Sequence, residues 1–195
     1  MTVPTSGGRT AVKEEFHFRG SGGQGILSMG LVLAHAALLE GLEVSWIPSY
    51  GAERRGGTSF CAVSLSDKAI DCPISNSPTV LFVMDERAAK AFVPALGPDA
   101  TLVYNTGLVT EKPFFSGRAV SVDANEIAKQ AGIPAAANIA ALGAILAAKG
   151  LLSTGSIEKA LAEVLGERKA KLVPANVKAF EAGAKAVAPS MASSR

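Results

Sequence analysis

Charge, aromatic rings and the most reactive side chains are all scarce in this 195-residue chain, and each scarcity closes off a class of function. Only 18% of residues are charged, the net charge is +2, and no Lys/Arg cluster is interleaved with aromatics, so nucleic acid is set aside as a partner. Two cysteines, Cys61 and Cys72, without Cys-x-x-Cys spacing, cannot by themselves build a four-thiolate zinc or iron–sulfur site. No metal site is expected here. Two histidines, His17 and His35, fall in a strand-like and a helix-like run, and no Ser/His/Asp or Cys/His arrangement can be assembled around them. The longest uncharged stretch begins with Gly, Ser and Gln and continues for about 14 apolar-leaning positions, short of the roughly 20 that cross a bilayer. Residues 1–13 are polar and lack an apolar signal core, which makes the cytoplasm the default location.

What is present is apolar material. Hydrophobic residues make up 48% of the chain, enough to bury a sizeable core in one domain without staples. We expect a disordered lead-in over 1–14, a single domain over 15–187 and a frayed tail over 188–195. A surface so poor in charge implies coverage by partner chains, although a large α/β core alone would give the same composition.

The stretch Gly20-Ser21-Gly22-Gly23-Gln24-Gly25 lies between a strand-like run (15–19) and an apolar helix-like run (26–39) closed by Gly41. Such a loop brings backbone N–H groups, unhindered by side chains, to a helix N-terminus carrying about half a positive charge. A phosphate-bearing ligand is the natural occupant. A second strand (43–47) ends where Pro48 removes a donor, and the loop Ser49-Tyr50-Gly51-Ala52-Glu53-Arg54-Arg55-Gly56-Gly57-Thr58 follows. Arg54 and Arg55 offer two planar forks that match phosphate oxygens, with glycines allowing close approach. Ion pairing with Glu53 or across a subunit boundary uses the same residues equally well.

Further strands are expected over 58–65, directly after that loop and so possible as an antiparallel neighbour, then over 79–84, 100–105 and 118–122, with a short edge piece at 70–73. Asp85 and Asp123 are placed to cap helices over 86–95 and 124–130. The last third is Ala/Leu/Lys-rich with helical spacing over 138–149, 156–165 and 168–185. Alanines around Gly143 point to tight helix contact. The fold class is α/β and Rossmann-like: a mostly parallel sheet, helices on both faces, and a helical C-terminal third.

Gly20, Gly22 and Gly25 match the dinucleotide fingerprint, which also requires an acidic residue at the end of the second strand to hold a ribose. Glu43 stands instead at the start of that strand and Glu53 deep in the loop beyond it. A free-standing dinucleotide oxidoreductase is thereby disfavoured. His17 alternates like a strand residue, His35 reads as packed or hydrogen-bonded, and Cys61 reads as a small core residue. The chain has the look of a binding half whose catalytic half lies elsewhere.

Residues 20–25, the loop 49–58, Ser66-Asp67-Lys68-Ala69-Ile70 with Pro73, Tyr104-Asn105, Asn138-Ile139-Ala140-Ala141-Leu142-Gly143 and 176–183 together resemble the gamma subunit of the 2-oxoacid:ferredoxin (acceptor) oxidoreductases. The likeness spans roughly 15–185. It implies one subunit of a multi-chain enzyme that converts a 2-oxoacid and coenzyme A to acyl-CoA and carbon dioxide, passing electrons to ferredoxin or NAD. In that family thiamine diphosphate, with Mg, sits between alpha and beta chains, and iron–sulfur clusters sit in beta, delta or further chains, while gamma is associated with coenzyme A (CoA). Carried over position by position, Gly22, Gly23, Gln24 and Gly25 would place backbone donors near the CoA phosphates. Arg54 or Arg55, with Gly56 and Gly57, would supply the counter-charge, and Asn138 a further contact. The family usually has an apolar residue where Arg54 stands, so which arginine meets CoA and which a partner chain stays open. A ligand-free interface scaffold within the same complex is the remaining alternative. The resemblance does not choose among pyruvate, branched-chain, 2-oxoglutarate and aryl 2-oxoacids.

Overall fold

Alternation of side chains along the first strand sets the two layers of the fold. A computed structural model describes residues 12–50, 57–73 and 76–187. In β1 (Lys13–Ser21), Phe16 and Phe18 enter the larger core while His17 and Arg19 point to the opposite face. The other strands are β2 (Glu43–Tyr50), β3 (Thr58–Ser66), β4 (Val80–Val83), β5 (Thr101–Asn105) and β6 (Arg118–Val122). They form one sheet in the order β2-β3-β1-β4-β5-β6. β1, β4, β5 and β6 run parallel, and only β3 is reversed, antiparallel to both β1 and β2. The reversal follows from chain economy. A parallel neighbour needs a crossover of a dozen or more residues, and β2 and β3 are joined by only seven, 51–57.

The larger layer is helical: α1 (Ile26–Leu39), α3 (Ala124–Gln130), α4 (Ala137–Lys149), α5 (Thr154–Leu165) and α6 (Val173–Val187) share a core with Phe16, Phe18, Val63 and Phe82. On the opposite face α2 (Glu86–Phe92) covers Leu81, Val83, Leu102 and Tyr104. Helices therefore lie on both faces, as expected for the class. α1 is buried on more than one side, with Met29, Leu33 and Ala37 shielded, and its His35 bonds Glu163 of α5 at 2.8 Å. Gly30 in α1 lets the helix settle on β3, because a Cβ there would stand 2.4 Å from Cys61 Sγ. Asp85 and Asp123 cap α2 and α3 as read from the sequence, accepting from the N–H groups of Ala88 and Glu126.

Five boundaries differ from expectation, each for a local reason. β1 begins at Lys13 and Val12 is buried, so 12–14 belong to the domain rather than to a lead-in; residues 1–11 and the tail 188–195 lie outside the described residues. Pro48 does not end β2: among the described residues this edge strand has a single neighbour, and its pairing with β3 runs unbroken from Glu43 to Tyr50. Residues 70–73 form no strand. The helix expected over 86–95 tightens to a 3-10 turn at Val93–Ala95, where Pro94 cannot donate to the ladder. The one expected over 168–185 is a 3-10 turn over Glu167–Leu172 followed by α6, whose second residue is Pro174, a position where a missing N–H costs nothing. Among the described residues no helix is long and apolar enough to cross a membrane.

α4 and α6 meet backbone to backbone. A Cβ on Gly143 would stand 1.9 Å from the Phe180 carbonyl oxygen, and one on Gly183 1.9 Å from that of Ala140. Replacing a mid-helix glycine by alanine normally favours the helix by about 1 kcal/mol. Here the overlap with rigid backbone outweighs that gain. Gly143→Ala is expected to lower stability by about 1–3 kcal/mol in chemical denaturation, whereas Gly97→Ala, with open space around it, stays within about 0.5 kcal/mol of the parent. A thiol contrast follows from the same packing. Cys61 is fully buried, its thiol donates to the Ile26 carbonyl at 3.4 Å, and burial pushes it up to about 12, while Cys72 is exposed. A maleimide at pH 7.5 should label Cys72 and spare Cys61 in the folded protein, as read by peptide mass.

Candidate functional site

The glycine loop sits at the carboxyl end of β1 and enters α1 directly, the position at which open α/β sheets bind ligands. Its shape is set by hydrogen bonds within it. The Gln24 side chain folds back so that Oε1 accepts from Ser21 N at 2.7 Å, and Gln24 N donates to Ser21 O at 3.2 Å. Gly20 makes room for this: a Cβ there would lie 2.5 Å from Gln24 Oε1 and 2.9 Å from Met84 Cβ. Gly23 (φ 93°) and Gly25 (φ 74°) both adopt left-handed backbone that side chains disfavour. Gly25 occupies the N-cap position of α1 and supplies no side chain to satisfy the first-turn N–H groups.

The expected donors divide into two sets. Gly22 N already donates to Gly57 O at 2.9 Å and Gln24 N is used inside the loop. Gly23 N and Gly25 N have no acceptor among the described residues, and with the first turn of α1 they form the open set. Gly22 and Gly23 are exposed, and no atom stands within 4 Å of where a Gly23 Cβ would be. This small basin of bare N–H groups at a helix N-terminus fits a phosphate or pyrophosphate.

Asn138, at the start of α4, lies behind the loop rather than in front of it. It is buried, and its Nδ2 donates to Gly25 O at 3.0 Å, the same carbonyl that accepts from Met29 N. A Cβ on Gly25 would stand 2.6 Å from that Nδ2, so glycine is required by space as well as by φ. Gly57 is buried and ties the second loop to the first through the Gly22 bond. Arg54, Arg55 and Gly56 lie outside the described residues.

Two features escaped the sequence. Ser21 Oγ donates to Asp85 Oδ2 at 2.6 Å, so the carboxylate that caps α2 through Oδ1 also anchors the loop. The signal was the parallel pairing of β1 with β4: Arg19 opposite Val83 places Ser21 opposite Asp85. The second is Arg19, whose guanidinium lies between the rings of Phe60 and Phe92, with Cζ 3.5 and 4.0 Å from their centroids. It borders a cavity of about 380 Å³ formed with Gly20, Ser49, Thr58, Asp85 and Phe92. Among the described residues, no three His, Cys, Asp or Glu side chains gather where a metal could be held.

A family model described as pyruvate ferredoxin/flavodoxin oxidoreductase matches residues 15–186. Ketoisovalerate oxidoreductase subunit VorA of Methanothermobacter marburgensis is 39% identical over 168 residues, which is 85% of this chain and 34% of that protein. The chain thus spans about a third of the length of the ketoisovalerate subunits it matches. The keto/oxoacid ferredoxin oxidoreductase gamma subunit of Geobacter sulfurreducens superposes with a TM-score of 0.77 at 30% identity, covering 90% of this chain and 99% of that one. The 2-oxoglutarate:ferredoxin oxidoreductase of Magnetococcus marinus, solved with 2-oxoglutarate, coenzyme A and succinyl-CoA bound, gives a TM-score of 0.81 at 25% identity over 91% of this chain and 31% of its own. The glycine loop on its strand-to-helix turn, the reversed third strand and the close-packed C-terminal helices thus occur in a chain that belongs to the pyruvate ferredoxin/flavodoxin oxidoreductase family.

Proposed function

We propose that this chain is the CoA-facing gamma component of a multi-subunit 2-oxoacid oxidoreductase, which converts a 2-oxoacid and CoA to acyl-CoA and carbon dioxide and passes electrons to ferredoxin or NAD. The observation that carries the reading is the open basin of Gly23 and Gly25 N–H groups at the N-terminus of α1, with no side-chain cap competing for it. A CoA pyrophosphate placed there is met by fixed backbone dipoles that need no reorganisation. Asn138 holds that basin in place from behind, through the Gly25 carbonyl, and Asp85 from beside, through the Ser21 hydroxyl. Arg54 and Arg55 add counter-charge from the second loop, whose Gly57 end is bonded to Gly22.

Oxidative chemistry is assigned to partner chains of alpha, beta and delta type, where thiamine diphosphate with Mg would supply the carbanion stabilisation and iron–sulfur clusters the electron path. This chain then binds the acyl acceptor, orients it and leaves bond-breaking to its neighbours. That the similar Magnetococcus enzyme was solved with CoA and succinyl-CoA bound supports CoA as the ligand in this reading.

The reversed β3 argues against a free-standing dinucleotide enzyme. It places β2 two strands from β1, about 10 Å away, so a ribose-holding residue at the end of β2 would stand one strand further off than the fingerprint requires. That end is Pro48-Ser49-Tyr50, without an acid.

In the assembled enzyme, the double substitution Arg54→Ala/Arg55→Ala should raise the KM for CoA about tenfold or more while kcat changes little. Steady-state rates against CoA, with subunit content checked by native mass analysis, test this. An unchanged CoA requirement in an intact complex refutes the reading, and loss of assembly favours the scaffold alternative.

A further inference from the structure

Arg19 is a half-buried cation with no counter-ion among the described residues. Its Nε is shut off from solvent and meets no acceptor, and among the described residues its side chain makes no hydrogen bond or ion pair. The carboxylate bordering the same cavity, Asp85, is already engaged at both oxygens, by Ser21 Oγ and by Ala88 N. Stacking against Phe60 and Phe92 holds the guanidinium plane still but satisfies none of its N–H donors. Burial lowers the Arg19 pKa, and no carboxylate contributes an opposing pull.

A fixed planar fork of donors beside an open cavity of about 380 Å³ calls for an oxyanion that can be gripped bidentately. Its location names the ligand class. β1 carries Arg19 on the face covered by α2, and three residues on, about 10 Å along the chain, Gly22 begins the open glycine loop. The two anion-seeking points thus share one strand end. CoA carries phosphate at two places on its nucleotide half, the pyrophosphate and the ribose 3′-phosphate.

We propose that the cavity beside Arg19 is a second phosphate subsite, in which Arg19 grips a phosphate of the same CoA whose other phosphate group lies at the glycine loop. The proposal rests on the CoA-facing reading above. It makes Arg19 a binding residue of the nucleotide half, remote from the reacting thiol.

The test uses the assembled enzyme carrying Arg19→Met, which can fill the aromatic slot without charge, or Arg19→Lys, which keeps the charge and loses the fork. Rates are measured against CoA and against dephospho-CoA, which lacks the 3′-phosphate. Arg19→Met should raise the KM for CoA about tenfold or more with kcat nearly unchanged, and Arg19→Lys should recover part of the loss. A rise confined to CoA assigns the 3′-phosphate, and an equal rise for both substrates assigns the pyrophosphate; either supports the subsite. An unchanged KM for CoA in an intact Arg19→Met complex overturns it, as does failure of both variants to assemble, which would make Arg19 a structural cation. If the Arg54/Arg55 variant loses CoA affinity while Arg19→Met does not, this inference alone falls. If neither variant does, the CoA-facing reading falls with it.

Discussion

The hydrogen bond from Asn138 to the Gly25 carbonyl joins the two halves of the molecule at the point where the glycine loop turns into a helix. Its geometry depends on α4 lying where it does, and α4 lies there because glycines at 143 and 183 let it approach α6 to backbone contact. The helical third of the chain therefore acts as the backstop of the site rather than as an appendage. With Asn138 behind the loop and Asp85 holding Ser21 from the other face, the glycines are braced from both layers. A loop rich in glycine loses much conformational entropy on ordering, and these two contacts offset part of that cost.

The reversed β3 is the other organising constraint. It brings the glycine loop and the Gly57 end of the second loop to the same end of the sheet, joined by the Gly22–Gly57 bond, and it displaces β2 from the position that a dinucleotide fold would use. The same reversal sets Phe60 beside Arg19, since antiparallel pairing aligns those two residues directly. One topological choice thus separates this glycine loop from the dinucleotide fingerprint it shares three glycines with.

Much of this was legible in the chain. Glycine positions could be read because left-handed φ values and close contacts admit little else, and the caps at Asp85 and Asp123 because a short acceptor before an apolar helix has few other uses. The antiparallel β3 followed from the shortness of the preceding loop. Other features were closed to such reading. Whether Pro48 ends a strand depends on whether that strand has one neighbour or two, which is a property of the sheet and not of the segment. Ser21 and Asp85 are 64 residues apart, Arg19 and Phe92 are 73 apart, and only strand register and the seating of α2 bring either pair together. Asn138 stood out by its place in the family motif, but its bond to the Gly25 carbonyl needed the fold.

Pro48 has a consequence beyond its strand. The ladder between β2 and β3 is continuous through it, so the donor it lacks belongs to the outward side of β2, the margin that would otherwise template another strand. A missing N–H midway along that margin interrupts any foreign chain trying to zip on. In a chain with so little charge available to repel its copies, this proline guards the sheet margin against edge-to-edge accretion.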